Sequence, residues 1–330
     1  MIFDEPPLDA HTMDVLAQIT DLRIRLRHQV NEPRQWTGML RRVSFAKAIQ
    51  SSNSIEGYHV TLDDAVAVTD EDDPIEAEGE TLRAVACYRD ALTYILQLAD
   101  DPHYHCSPDL IRSLHYMMMR YDLDKRPGRW RAGAIYVHDE AADERVYEGP
   151  DAEQVPHLME QLAVTLQENS RADALIRGAM AHLNLAMIHP FRDGNGRMAR
   201  ALQTLVLARE QILAPMFCSI EEYLGDHTQD YYAVLATVGQ GGWNPQHDAL
   251  PWIRFCLIAH YRQARALLAR VKLYERMWHD IERRAARHGL PERAVPALLY
   301  AAAGGRLRRS SYVSMAGDIT DDTGSRDLKA

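Results

Sequence analysis

Residues 189–200 read His-Pro-Phe-Arg-Asp-Gly-Asn-Gly-Arg-Met-Ala-Arg. The apolar pattern before them, through Leu175, Ile176, Ala179, Met180, Leu183, Met187 and Ile188, predicts a helix over about 172–188. Pro190 biases its predecessor away from helical angles, so His189 stands where that helix ends. Gly194 and Gly196 let the chain turn tightly, and Leu202, Leu205, Val206 and Ile212 carry a second helix to about 213. A glycine-rich loop feeding a helix N-terminus is an anion site, because unpaired N–H groups and the helix dipole both favour a phosphate there. Arg197 and Arg200 lie three apart in the first turns and so reach the same anion. Asp193 is a hard oxygen ligand of the kind Mg²⁺ takes alongside substrate phosphates. A histidine, with an ordinary pKa of about 6.5, can accept a proton from a hydroxyl at neutral pH. Base, carboxylate, anion loop and arginines together point to a hydroxyl attacking phosphorus in a nucleotide.

The stretch resembles the signature of the Fic family, His-x-Phe-x-[Asp/Glu]-Gly-Asn-Gly-Arg-x-x-Arg, and matches every fixed position. At average residue usage, such a match arises by chance in fewer than roughly one in ten million windows. The resemblance implies a protein adenylyltransferase that moves AMP from ATP to a Ser, Thr or Tyr hydroxyl of a target protein or of itself, with Mg²⁺. It makes His189 the general base, Phe191 a core anchor and Asp193 the metal ligand. Gly194, Asn195 and Gly196 become the anion hole, Arg197 the holder of the leaving phosphates and Arg200 the ligand of the γ-phosphate. Relatives that phosphorylate instead depart from Gly-Asn-Gly-Arg, which this chain keeps.

A second helix is predicted over about 39–57, with Leu40, Val43, Ala46 and Ile49 on one stripe. It ends in Ser52-Asn-Ser-Ile-Glu56-Gly57, where the glycine suits a C-cap and Glu56 sits where the dipole disfavours a carboxylate. A negative charge at such a position implies a cationic partner elsewhere. The six residues are similar to the inhibitory motif [Ser/Thr]-x-x-x-Glu-[Gly/Asn] that accompanies many Fic domains. By that resemblance Glu56 pairs with Arg200 and takes the space of the γ-phosphate.

At 330 residues and 46% hydrophobic content the chain has ample material for a core. A net charge of −10 argues against strong nucleic-acid binding by the whole molecule. The start, Met-Ile-Phe-Asp-Glu-Pro-Pro, lacks a basic region and an apolar segment, and no stretch approaches about 18 uninterrupted apolar residues, so no membrane role is expected. Cys87, Cys106, Cys218 and Cys256 are scattered without paired spacing, which fits a reduced, cytoplasmic setting.

The rest of the chain reads as helices broken by loops. The acidic run from Leu62 to about Gly79 reads as a solvated connector, and Pro102-His-Tyr-His-Cys-Ser-Pro108 as a loop between helices at about 80–99 and 108–121. After Pro127-Gly-Arg-Trp130, the residues Gly133-Ala-Ile-Tyr-Val137, a polar tip at 138–145 and Val146-Tyr147 predict a β-hairpin that must lie on the helices. By resemblance it is the flap over the site, with Ile135, Tyr136 and Val137 near a target segment docked by strand addition. A helix follows at about 153–168, and another opens at Gln229-Asp-Tyr-Tyr232. The resemblance sets Tyr231 and Tyr232 in an adenine pocket, although Gly239 stands where some relatives place a polar residue against the base. A basic helix at about 251–288 and three short pieces complete the chain, similar to the start of a winged helix without its wing.

The fold expected is all-α: a Fic helical bundle with one hairpin flap, an N-terminal inhibitory helix and a partial winged-helix-like C-terminal segment. Three regions are expected, an N-terminal helical region over 1–99, a Fic core over 100–240 and C-terminal helices over 241–330. Two other functions fit part of the pattern. A glutamate poised at the phosphate could orient water for AMP removal, or another nucleotide could be used; and a DNA-binding regulator could keep the core as a nucleotide sensor. The resemblance also admits a homodimer.

Overall fold

The computed structural model describes residues 1–31, 36–70, 79–139, 144–167, 173–211, 213, 217–317 and 319–329. Among these the helices are α1 (Ala10–Asn31), α2 (Thr37–Ile55), α3 (Leu62–Thr69), α4 (Gly79–Leu98), α5 (Pro108–Met119), α6 (Val155–Gln167) and α7 (Ala174–Ile188). They continue as α8 (Asn195–Ala208), α9 (Glu221–Asp226), α10 (Thr228–Gly239), α11 (Leu250–Arg287), α12 (Val295–Ala302), α13 (Arg309–Ala316) and α14 (Asp321–Asp327). Strands β1 (Tyr136–Asp139) and β2 (Glu144–Glu148) pair antiparallel, Tyr136 against Glu148 and Val137 against Tyr147. The all-α expectation with one hairpin holds. No helix among the described residues is long and apolar enough to cross a membrane.

The α7–α8 pair is the axis. α7 carries apolar residues around its whole circumference and is buried on nearly every side, as such a helix must be. Its two polar core residues are paired: Asn184 exchanges hydrogen bonds with the Phe3 backbone, and His182 lies between Gln203 and Tyr231. One apolar cluster wraps the α1, α2, α10 and α11 side of α7, and a second fills the space among α4, α5, α6 and α8. The site therefore rests on rigid, close-packed elements rather than on a mobile loop.

Three local expectations change. The acidic stretch after Leu62 is helical as far as Thr69. Thr61 caps its first turn by accepting from the Asp64 N–H, Asp63 and Asp64 occupy that turn where the dipole favours acids, and Ala65 to Val68 are buried. The part of the expected connector over 71–78 lies outside the described residues. α8 stops at Ala208 rather than near 213, because Gln211 takes a left-handed φ of 56° and Arg209 turns to donate to the carbonyls of Leu98 and Asp101. The hairpin tip is shorter than expected, since β1 runs to Asp139 and β2 starts at Glu144. The anticipated C-terminal pieces appear as α12, α13 and α14, with Tyr312 buried among them and Tyr300 tied to Asp63 at 3.1 Å.

Candidate functional site

Pro190 keeps His189 from continuing α7 as a helix, and His189 caps α7 in a left-handed conformation, φ 50° and ψ 59°. Such angles cost a non-glycine residue roughly 1–2 kcal/mol, so neighbours must hold it. The half-buried ring is fixed by a 3.1 Å hydrogen bond from Nδ1 to the Ala186 carbonyl. A carbonyl can only accept, so Nδ1 carries the proton and Nε2 keeps the free lone pair. Burial pushes the imidazole below the usual histidine range, against the Ala186 hydrogen bond and the Glu56 and Asp193 carboxylates, so the ring is neutral at pH 7.

The loop after it closes on itself. Asn195 Oδ1 accepts from the Phe191 N–H at 2.9 Å and Nδ2 donates to the Phe191 carbonyl at 3.0 Å, so this side chain clamps the loop and leaves only its N–H for an anion. The first helical bond runs from the Met198 N–H to the Gly194 carbonyl, and the N–H groups of Asn195, Gly196 and Arg197 open α8 with no carbonyl four residues back. Gly194 has φ 76°, and a Cβ there would lie 2.7 Å from Met119 Sδ. At Gly196 a Cβ would collide with Glu56 Oε1 and lie 3.1 Å from Arg200 Nη1, so the missing side chain makes the room that Glu56 occupies.

Arg197 and Arg200 are both buried and both turn to α2. Arg200 donates Nε to Ser52 Oγ at 2.8 Å, and Nη2 to the Ser52 carbonyl at 2.9 Å and to Glu56 Oε1 at 2.7 Å. Arg197 donates Nη2 to Tyr121 Oη at 3.1 Å and lies over the Tyr58 ring. Arg197 Nε and Arg200 Nη1 are buried and donate to nothing among the described residues. Buried donors without acceptors cost about 1–3 kcal/mol each, a cost an anion accepting from them would offset. Glu56 is the C-cap of α2, set by the two hydrogen bonds of a glycine-terminated helix end, Tyr58 N–H to the Asn53 carbonyl and Gly57 N–H to the Ser54 carbonyl, with Gly57 at φ 84°. The cationic partner that the sequence demanded for this acid is Arg200.

Residues 105–207 match the model of the Fic/DOC family. This chain carries a Fic/DOC domain. A curated relative, "Protein adenylyltransferase Fic" of Nematostella vectensis, is 26% identical over 245 residues, which cover 70% of this chain and 50% of that protein. "Protein adenylyltransferase fic-1" of Caenorhabditis elegans is 25% identical over 257 residues, 76% of this chain and 46% of that one. The chain thus spans about half the length of these relatives. Among solved structures, a Fic family protein from Desulfovibrio desulfuricans G20 superposes with a TM-score of 0.68 at 25% identity, covering 98% of this chain and 89% of that one.

Around the Fic signature, Asp193 is half-buried at the mouth of the loop. Its Oδ1 accepts from the Gly194 N–H at 2.6 Å, and its Oδ2 meets Lys125 Nζ at 3.2 Å. No cluster of three metal-binding side chains occurs among the described residues. A single hard carboxylate beside a phosphate cradle still fits Mg²⁺, which binds through one or two carboxylates and completes its shell with phosphate oxygens and water. Tyr231 is buried with its hydroxyl on His182 Nε2, and burial pushes that hydroxyl up to about 12. Tyr232 is the exposed one of the pair, and it donates to the Ile55 carbonyl beside Glu56. The ring of Tyr147, from the hairpin, lies 3.0 Å from where a Cβ on Gly239 would stand, so the flap fills the space this glycine leaves. In the flap, Ile135 and Val137 are half-buried and Tyr136 is exposed under the Arg145 guanidinium. β2 is engaged on its far side, where the Glu148 backbone pairs with Gly241 and Trp243, whereas β1 has no such neighbour among the described residues.

Two residues of the Fic domain escaped sequence reasoning. Arg131, buried, donates Nε to the His189 carbonyl at 2.9 Å and Nη1 to the Gly133 carbonyl at 2.7 Å, and Nη2 reaches the Pro150 carbonyl. One guanidinium thus ties the strained His189 to both feet of the hairpin. His115, also buried, accepts from the Gly128 N–H on Nδ1 at 2.9 Å, so its Nε2 donates to the Asp193 carbonyl, also at 2.9 Å. It stacks flat on Phe191 at 3.6 Å, and burial pushes it down to about 4. Neither stands in a motif, and only an unusual polar residue in an apolar helix pattern hinted at His115.

Proposed function

We propose that this domain transfers AMP from ATP to a Ser, Thr or Tyr hydroxyl of a target protein or of the chain itself, and that Glu56 holds it inactive. The observation that carries the reading is the 2.7 Å ion pair between Glu56 and Arg200, set inside an anion-binding helix start that faces a neutral histidine. Once Glu56 withdraws, the polyphosphate takes its place against Gly196, where it meets the idle donor Arg200 Nη1. His189 Nε2 takes the proton from the target hydroxyl, the oxygen attacks the α-phosphorus, and the bond to the bridging oxygen of pyrophosphate breaks. The α8 N–H groups and the two arginines receive the charge that develops on the leaving group. Asp193 would hold Mg²⁺, which when bound neutralises phosphate charge. The target would lie along the free edge of β1, past Ile135, Tyr136 and Val137, by strand addition. Tyr232, exposed beside the lock, offers a face to the base.

The curated relatives, named protein adenylyltransferases, support this reading, and the four buried cysteines, none in a disulfide among the described residues, are compatible with a reducing, cytoplasmic setting. The test is to incubate wild type, Glu56→Gly and Glu56→Gly/His189→Ala with ATP and Mg²⁺ and a peptide or protein acceptor, and to read intact mass. An added AMP in the single variant that disappears in the double variant is expected. Equal labelling with and without His189 would sink the mechanism.

A further inference from the structure

Arg200 is among the largest fully buried side chains of the protein. Its direct counter-ion, Glu56, is the group that must leave for the polyphosphate to enter. A buried guanidinium stripped of its partner is strongly unfavourable, so a site that works after Glu56 withdraws needs a second source of negative potential. The core contains one. Arg200 Nε donates to Ser52 Oγ at 2.8 Å, Ser52 Oγ donates to Tyr88 Oη at 3.0 Å, and Tyr88 Oη donates to Glu221 Oε1. The direction is forced: a guanidinium only donates, so the single proton of Ser52 goes on to Tyr88 and that of Tyr88 to the carboxylate. The other oxygen, Glu221 Oε2, accepts from Ser219 at 2.9 Å. All four members of the chain are buried, and they come from α2, α4, α8 and the start of α9. Burial raises the Glu221 carboxyl above the usual range, while the Tyr88 hydrogen bond and the Arg200 charge oppose the rise. An acid in the first turn of α9 is favourable for the helix alone. That does not explain why it is buried and aimed through two hydroxyls at the arginine.

We infer that Glu221, acting through Tyr88 and Ser52, is the positioning residue that holds Arg200 aimed at the Gly196 cradle after Glu56 withdraws, and so sets the preference for nucleotides that carry terminal phosphates. This rests on the reading of Arg200 as a polyphosphate ligand. With Glu56 gone, Nε keeps Ser52 Oγ and Nη2 keeps the Ser52 carbonyl, so the fork does not rotate. Nη1 already points into the space beside Gly196 with no acceptor of its own. The donors are oriented before the ligand arrives, and the ligand has little reorganisation to drive.

The test measures ATP and AMP binding by calorimetry in a non-turning-over parent, Glu56→Gly/His189→Ala, and in the same parent carrying Tyr88→Phe, Ser52→Ala, both together, Glu221→Gln or Arg200→Gln. Tyr88→Phe is expected to weaken ATP about tenfold while AMP changes less than about twofold, the loss of one charge-oriented hydrogen bond. Ser52→Ala should match it, and the two together should be no worse than either alone, because they cut one chain. Glu221→Gln keeps an acceptor for Tyr88 but no charge, and should lower the ATP-to-AMP ratio by a smaller factor. Should Tyr88→Phe fail to fold, Glu221→Gln carries the same comparison. An unchanged ratio, or ATP and AMP weakening together, overturns the inference and leaves Glu221 a packing residue. A parent that binds no ATP, or Arg200→Gln that binds it as well as the parent, overturns the polyphosphate reading itself, a separate failure.

Discussion

Replacing Glu56 by glycine removes one carboxylate from one buried guanidinium and touches almost nothing else. The turn that presents Glu56 is made by backbone bonds at Asn53, Ser54, Gly57 and Tyr58, and by the Tyr232 hydroxyl on the Ile55 carbonyl, none of which uses the Glu56 side chain. Glycine is also well tolerated where a helix ends. The contact itself is a 2.7 Å charge-assisted hydrogen bond with the arginine side chain 1% exposed and the glutamate 22% exposed. Hydrogen bonds to charged groups contribute about 1.5–3 kcal/mol. At about 1.4 kcal/mol per decade, displacing Glu56 then suppresses the competent state by roughly ten- to a hundredfold. Initial rates of AMP incorporation, followed by intact mass at saturating acceptor, should therefore rise by about that factor in Glu56→Gly. ATP should also raise the melting temperature of the variant more than that of wild type, because binding no longer has to displace the carboxylate. Glu56→Gln, which keeps the size and loses the charge, should fall between the two. Equal rates and equal ATP-induced shifts in wild type and Glu56→Gly would refute the lock.

Arg131→Lys keeps the charge but loses the fork that grips the carbonyls of His189, Gly133 and Pro150; it should destabilise by about 1–3 kcal/mol in chemical denaturation and cut kcat about tenfold in the Glu56→Gly background with the KM for ATP nearly unchanged. A fall in KM-dependent terms alone would refute its role in setting the base. Gly194→Ala should melt early and lose activity, since φ 76° costs an alanine about 1–2 kcal/mol and its Cβ meets Met119; adding Met119→Ala should restore stability only in part, because the backbone strain remains. In Glu56→Gly, kcat/KM should lose activity on acidification only below the usual histidine range near 6.5, because His189 is held below it and must be neutral to act; an inflection above that range would contradict the assignment. Stability should also fall with pH. His115, His182 and His260, pushed by burial to about 4, 3 and 3, stay neutral in the fold while their unfolded counterparts protonate as pH drops through about 6.5. Each therefore removes up to about 1.4 kcal/mol per pH unit from about 6.5 down to its own folded value, below which the loss levels off. A melting temperature flat from pH 7 to 5 would contradict that.

Local rules account for the parts that were legible in advance. His189 at a helix end follows from Pro190, the capped turn at Glu56 from Gly57, and the anion loop from Gly194 and Gly196, each within a few residues of its cause. A count of charges reads the acidic stretch after Leu62 as a connector because it ignores position: Asp63 and Asp64 fall in a first turn, where the dipole welcomes them. The early end of α8 could not be read either, since Arg209 turns outward to meet carbonyls at the end of α4, more than a hundred residues away in the chain.

The sequence by itself determined which groups stand together at the candidate site, because histidine, carboxylate, glycines and arginines are consecutive and their spacing is fixed by one helix end and one helix start. It also marked Glu56 as an acid in need of a cationic partner, through a charge left at a position its own helix disfavours. Only the tertiary structure decided how these parts are held. The Arg131 grip on His189, the His115 strut under Asp193 and the chain from Arg200 through Ser52 and Tyr88 to Glu221 each join elements distant in sequence. A side-chain hydrogen bond of about 3 Å between remote residues has no periodicity for a sequence to display. It exists only once the apolar faces of α2, α4, α7 and α8 have packed and set the backbones in place.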